Sequence, residues 1–445
     1  MLVKRVHKNI KNNNLVEMIV QGSKHSFSRI LPSFLQFHSG IVRNVPDIKD
    51  VEIQIDIMKK LGFILDFDKN SKVLNYSGSH KKKEGIVNIE DYSSRYSRSL
   101  INLYPIFSRF NIMLKEPSGC PIGRRDISWY VEIMKQFGMS FDIHNIYTRV
   151  YRSELKKVSE IKIRDRSFSS TNIAITCAIE TKSDTKIFGP SLEPEIFDLI
   201  SMLNNAEVKI HYNAEEDYFH IHADLFDEKK VVDHTILPDR NVIVTFICGA
   251  LLLKKDIRIN TFGFTETQLQ LAPFLDILKQ LNIDFQYNDN RLLVMGSSCR
   301  IKGRELEIKA GHYPLFCSDW QPLIAVLSVL GLNMTIEDTL FESRFGYLDE
   351  YKKFGIKYKI IDERRAKILD SEGYEFNPEQ KITAKALDLR CGAGIGLLSM
   401  LHHGICEIEN VLQIKRGYEG YDKQLNTLLG ENVFCYEQEE VIEIQ

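Results

Sequence analysis

The sequence predicts an α/β fold of two domains, each built from three copies of one helix-to-strand unit. Its 445 residues exceed the usual size of a single core. A helix-to-strand unit opening on apolar residues that share a helix face recurs six times at a period of roughly 70 to 78 residues, with a glycine breaker in four of the six. A 44% hydrophobic share with 27% charged residues belongs to an ordinary globular chain and excludes collagen-like, disordered and membrane-spanning classes.

The first unit sets the pattern. Val51, Ile55 and Met58 share one helix face, Asp50 is an N-cap candidate and Gly62 ends the helix, after which Phe63, Leu65 and Phe67 alternate as a strand. Ile127, Val131 and Met134 then precede Gly138 and the alternating Met139, Phe141 and Ile143, while Ile196, Ile200 and Leu203 precede Val208 and Ile210. The second half repeats this with Phe274, Leu278 and Leu281, with Tyr347, Leu348, Tyr351 and Phe354 before Gly355, and with Tyr421, Leu425 and Leu428 before Gly430. A generic α/β chain also contains helix-strand junctions, but the joint recurrence of triplet, breaker and strand favours a repeat. Six units divide into two domains of three, with the crossing expected near VVDHTILPDR, residues 231 to 240, and a cleft expected between them.

Charge and cysteine content narrow the class. The 58 Lys+Arg against 60 Asp+Glu leave a net charge of -2, which is no footprint of a nucleic-acid binder. The basic N-terminus lacks the apolar stretch of a secretory signal, and VIVTFICGALLL falls short of a membrane span, so a cytoplasmic protein without membrane contact is expected. Eight cysteines without a C-x-x-C pair argue against a disulfide framework and a tetrahedral zinc site, leaving free thiols.

The chemistry-bearing residues sit at punctuated loops. In EPSGCPIGRR, residues 116 to 125, Cys120 is either a surface thiol or, beside Arg124 and Arg125, a stabilised thiolate on an anion-facing lid, with Asp126 capping the next helix. QGSKHSFSR, FESRF, ALDLRCGAG and KRGYEG are further basic turns near repeat boundaries. Asp319, just ahead of LIAVLSVLGL, is either a cap or turn aspartate or a carboxylate base among cations.

These motifs, taken in order along nearly the whole chain, resemble the enolpyruvyl transferases, most closely the branch that acts on UDP-N-acetylglucosamine. SGCPIGRR is similar to the family's cysteine loop, TILPDR to its interdomain segment, LEPEI to a motif of its third repeat, LFESRF and ALDLR to its phosphoenolpyruvate-site segments, and KRGYE to its C-terminal arginine motif. The resemblance implies a two-domain inside-out α/β barrel, with three βαβαββ-like units per domain. Residues 22–237 would form the first domain, carrying the cysteine loop, and residues 1–21 with 238–445 the second, carrying the aspartate and C-terminal arginines. It also implies transfer of the enolpyruvyl group of phosphoenolpyruvate to a hydroxyl of a nucleotide-type acceptor, with phosphate released and no metal or organic cofactor. By the same resemblance Cys120 is the proton donor or covalent partner and Asp319 the acid-base carboxylate. Lys24, Arg125 and Arg416 surround phosphate, Arg344 and Arg390 lie near the carboxylate and transition-state charge, Arg98 faces nucleotide phosphates, and Glu342 and Asp388 support them.

The acceptor end departs from the family pattern. A Lys-Asn pair becomes Lys24-His25, so that GSKHSFSR resembles instead the sister enzyme acting on shikimate 3-phosphate. The run after the cysteine loop becomes Arg125-Asp126-Ile127-Ser128, a uridine-binding stretch becomes Phe168-Ser169-Ser170, and the residues after LPDR become Asn241-Val242-Ile243-Val244-Thr245. Three readings follow: a transferase with a nucleotide acceptor, a transferase using shikimate 3-phosphate, or a catalytically idle paralogue that binds a nucleotide sugar or partner.

Overall fold

The computed structural model describes residues 1–5, 15–79, 86–89, 98–115, 127–144, 147–288, 290–373 and 379–437. Cys120, Arg124, Arg125 and Asp126 fall outside them, as does the side chain of Arg98. The chain divides into two compact units, one formed by Met1–Val20 and Pro238–Gln445, the other lying between Gln21 and Leu237.

The described strands form six sheets, five of four strands and one of five, and all follow one plan. In the sheet that shows it without interruption, Glu160–Lys162 runs parallel to Asp184–Phe188. The next strand inward, Tyr218–His222, is antiparallel to Asp184–Phe188 and to the edge strand Ile210–Asn213. A buried helix, Phe168–Glu180, makes the parallel crossover, and an amphipathic helix, Pro194–Asn205, leads into the edge hairpin. This is a βαβαββ unit.

Strands borrowed from afar complete three of the sheets. Val231–Thr235 lies parallel to Ser39–Arg43, and Leu15–Ile19 parallel to Asp256–Asn260. Leu2–Lys4 fits between Cys406–Glu409 and Phe434–Tyr436.

The two helix classes follow from their sequences. Arg240–Leu252 is buried along its whole length, as its near-continuous apolar run requires. Lys49–Lys60 instead buries Val51, Ile55 and Met58 while Lys59 and Lys60 remain exposed. Gly62 and Gly430 end such helices at φ 98° and 84°, a conformation that costs a residue with a Cβ. Each fully buried Leu, Ile or Phe contributes about 1.5–3 kcal/mol relative to exposure.

Two capping expectations are corrected. Ile48, not Asp50, occupies the N-cap of Lys49–Lys60, and the buried Asp50 carboxylate instead meets Lys24 Nζ at 2.6 Å. Ile127 occupies the N-cap of Ser128–Gln136, so that position is not Asp126.

The crossing segment is tied down locally. His234 Nε2 lies 2.9 Å from Asp198 Oδ1 in a buried pair, and the Leu237 N–H donates to Asp198 Oδ2 at 3.4 Å. On the other side of the crossing, a Cβ at Gly22 would stand 1.8 Å from the Asn44 carbonyl oxygen. Gly22→Ala is therefore expected to lower unfolding free energy by about 1–3 kcal/mol in urea denaturation, as overpacking does.

Lys4 is buried and donates to the carbonyls of His402 and Gly404. Desolvation lowers its pKa to about 8, partly opposed by Cys406 and Glu431. Between about 8 and the ordinary 10.5 the unfolded chain holds the extra proton, so stability contributed by this residue rises with pH across that window. Denaturant titrations of the native chain and Lys4→Met across it should show the native chain gaining relative to the variant.

Candidate active site

Helix N-termini present unsatisfied N–H groups, and the buried helices use this position for polar residues. In the unit between Gln21 and Leu237, Ser23 caps Lys24–Phe34 by accepting from the Ser26 N–H at 3.2 Å, which makes Lys24 the first helical residue. Its ammonium, almost wholly buried, is set against Asp50. His25 follows, half-buried. One turn on, the buried Arg29 guanidinium stacks 3.7 Å above the Phe168 ring centroid and donates to the His25 carbonyl at 3.3 Å. Burial brings the Arg29 pKa down to about 10, opposed chiefly by Glu195, so the group stays charged at neutral pH. Glu195 and Glu193, of the LEPEI segment, are buried in the same unit.

The other unit gathers most of the expected residues. Asp319 lies in the short 3₁₀ turn Ser318–Trp320 ahead of the helix Gln321–Ala325. Its Oδ1 accepts from Arg344 Nη2 at 3.0 Å and its Oδ2 from Arg390 Nε at 3.1 Å. Asp388 caps the helix Leu389–Ser399, its Oδ1 accepting from the N–H groups of Arg390 and Cys391 at 2.8 Å each. The other Asp388 oxygen takes Arg344 Nη1 at 3.3 Å. Asp319, Arg344, Asp388 and Arg390 thus form one alternating set. Both arginine side chains are 2% exposed, whereas Asp319 keeps 28%, which makes it the member that solvent or substrate can reach.

Residues to which the sequence assigns no part in this set hold it in place. Tyr418, in KRGYE, accepts from Arg390 Nη1 at 3.0 Å and shares a 2.7 Å hydrogen bond with Thr245 Oγ1. Burial alone would lower the Arg390 pKa, but Tyr418, Asp319 and Asp239 outweigh it and the guanidinium ends above its ordinary value. Arg390 Nη2 is buried and has no hydrogen-bond partner among the described residues. Asn241 accepts the Trp320 indole N–H at 2.8 Å, so two of the departures after LPDR, Asn241 and Thr245, are structural supports of this set.

The fully buried Asp338 accepts from Ser318 Oγ and Gln321 Nε2 at 2.6 Å each, and from the N–H groups of Leu340 and Phe341 at 2.7 and 2.9 Å. It therefore joins the turn bearing Asp319 to the loop that leads to Arg344.

Two expected residues sit differently. Glu342 is exposed and accepts from Arg364 Nη2 at 3.0 Å, apart from the alternating set. Arg416 is buried at the end of the short helix Leu412–Lys415 and donates to Gln413 Oε1 at 2.6 Å. Cys120 and Arg125 lie outside the described residues, and of Arg98 only the backbone, at the start of the 3₁₀ segment Arg98–Leu103, is described.

Residues 15–425 match the family model described as EPSP synthase (3-phosphoshikimate 1-carboxyvinyltransferase). The chain belongs to the enolpyruvyl transferase family. It is 26% identical to a UDP-N-acetylglucosamine 1-carboxyvinyltransferase of Wolbachia pipientis subsp. Culex pipiens, over 96% of this chain and 99% of that one. It is 28% identical to UDP-N-acetylglucosamine 1-carboxyvinyltransferase 2 of Clostridium tetani, over 93% and 95%. The enolpyruvyl transferase NikO from Streptomyces tendae superposes with a TM-score of 0.80 at 19% identity, covering 96% of each chain. An EPSP synthase from Acinetobacter baumannii gives 0.70 at 12%, covering 98% of this chain and all of that one. The fold is accordingly the two-domain inside-out α/β barrel expected of an enolpyruvyl transferase. As an enolpyruvyl transferase the chain is an enzyme, and among its described residues no helix is long and apolar enough to cross a membrane.

Because Asp338 satisfies two backbone and two side-chain donors, Asp338→Ala should lower unfolding free energy by about 1–3 kcal/mol or more, read by urea denaturation. A native-like midpoint would show that those donors find other partners.

Proposed function

We propose that the protein transfers the 1-carboxyvinyl group of phosphoenolpyruvate to a hydroxyl of a nucleotide-type acceptor, with UDP-N-acetylglucosamine or a close relative as the acceptor. The observation that carries this reading is the Asp319 carboxylate, partly exposed and held in place by two buried arginines. A base needs a fixed position and an open edge, and Asp319 has both.

In the proposed reaction Asp319 takes up the acceptor hydroxyl proton as its oxygen bonds to C2 of phosphoenolpyruvate, and Cys120 delivers a proton to C3. The tetrahedral adduct then loses a proton from C3 and breaks its C2–O bond to phosphate, restoring the double bond and releasing inorganic phosphate. Arg344 and Arg390 serve the substrate carboxylate and the charge that develops, the roles that the family resemblance implies for them. Lys24, Arg125 and Arg416 contact phosphate, His25 and Arg98 the acceptor end, and Glu342 and Asp388 support these contacts. Preorganised donors of this kind lower the barrier because they need not reorient as charge moves.

The names of the sequence relatives favour the nucleotide sugar, and SGCPIGRR favours it over shikimate 3-phosphate. The purified chain, given phosphoenolpyruvate with UDP-N-acetylglucosamine, UMP or shikimate 3-phosphate, should release phosphate with a nucleotide acceptor. Phosphate release only with shikimate 3-phosphate would replace the acceptor, and no turnover with any of them, with Cys120 left unlabelled by the epoxide fosfomycin, would favour the idle paralogue. Asp319→Asn should lower kcat at least ~100-fold with the fold intact, in line with loss of general acid-base catalysis. Near-normal turnover in that variant would remove Asp319 from the mechanism.

A further inference from the structure

Outside the residues assigned above, the strongest grouping of metal-ligating side chains among the described residues lies on the outward face of the sheet that contains Asp184–Phe188, Ile210–Asn213 and Tyr218–His222. Alternation along these strands sends Thr185, Ile187, Ile210, Phe219 and Ile221 into the core. The same alternation places Asp184, His211, His220 and His222 on the other face. Register then completes the grouping, for His211 lies opposite His220 and His222 lies opposite Asp184.

The result is three imidazoles in contact. Ring centroids are 4.1 Å apart for His220 and His222, 5.2 Å for His211 and His220, and 5.6 Å for His211 and His222. One ring nitrogen from each of the three lies within 4.8 Å of the other two. Asp184 Oδ1 stands 2.8 Å from His220 Nε2 and 3.3 Å from His222 Nδ1. Ligand atoms around a tetrahedral zinc ion, at metal bonds of about 2.0–2.1 Å, are themselves about 3.4 Å apart. The ring nitrogens would draw together by up to about 1.4 Å to reach that spacing.

We propose that His211, His220 and His222 form a divalent transition-metal site, with Asp184 as fourth ligand or as acceptor orienting the His220 ring. Imidazole donors suit zinc, copper and nickel over magnesium and calcium, which favour oxygen ligands. The site belongs to one unit and joins the edge strand Ile210–Asn213 to its neighbours through side chains as well as backbone. Its role is to clamp the exposed hairpin of that sheet. The absence of paired cysteines has no bearing on it, because no thiolate takes part.

The test uses the full chain, stripped with chelator and titrated with zinc chloride alone by calorimetry. One zinc ion per chain is expected, together with a rise in Tm in excess zinc and no response to magnesium. His211→Ala/His220→Ala/His222→Ala should lose both signals, and Asp184→Asn should bind about 10- to 100-fold more weakly. Cobalt substitution should give the absorption of a tetrahedral site without a thiolate charge-transfer band. Binding unchanged in the triple variant, a thiolate band, or no zinc uptake by the native chain would each overturn the proposal. Should the triple variant fold poorly, His211→Gln alone, checked by circular dichroism without metal, gives the same readings.

Discussion

The alternation of charge around Asp319 is the constraint on which the rest of its unit depends. Two guanidinium groups and two carboxylates are removed from most solvent within one small volume, and each cation is placed against an anion. An uncompensated buried charge costs several kcal/mol, so no member can move without exposing another to that penalty. The gain is orientation more than stability. Asp319 is fixed from both sides while one edge stays open, which is the condition under which a carboxylate can serve as a base without first being repositioned.

The repeat explains where such residues come from. Each buried helix begins at the same point of its βαβαββ unit, with a cap and a first turn whose N–H groups need acceptors. Lys24 follows the Ser23 cap, Arg390 follows the Asp388 cap, and Asp319 stands at the turn before Gln321–Ala325. The units share an architecture, yet the residue at that point differs from one to the next. A duplicated scaffold thereby supplies several chemically distinct positions.

Periodicity made the six units legible, since the apolar triplets and breakers report local structure directly. Asp319, Arg344, Asp388 and Arg390 were legible as separate loop residues, but their assembly depends on contacts between segments far apart in the chain. Asp50 shows the limit of a local rule. Its place ahead of an apolar stripe suggests a cap, whereas a lysine 26 residues earlier in the sequence decides its role. Tyr418 and Asp338 gave no signal because nothing in their neighbourhood marks them as buried polar anchors. His220 and His222, two residues apart on a strand, did carry a local signal, but His211 joins them only through register.

The strand Leu2–Lys4 pairs with residues beyond 400 on both of its sides, which has a consequence for biosynthesis. The unit lying between Gln21 and Leu237 has both of its segments ahead of Pro238 and can fold while the residues after it are still on the ribosome. Leu2–Lys4 is made roughly 400 residues before either of its partner strands. At about 5–20 residues per second that delay is tens of seconds, during which an apolar β-segment stays without its partners.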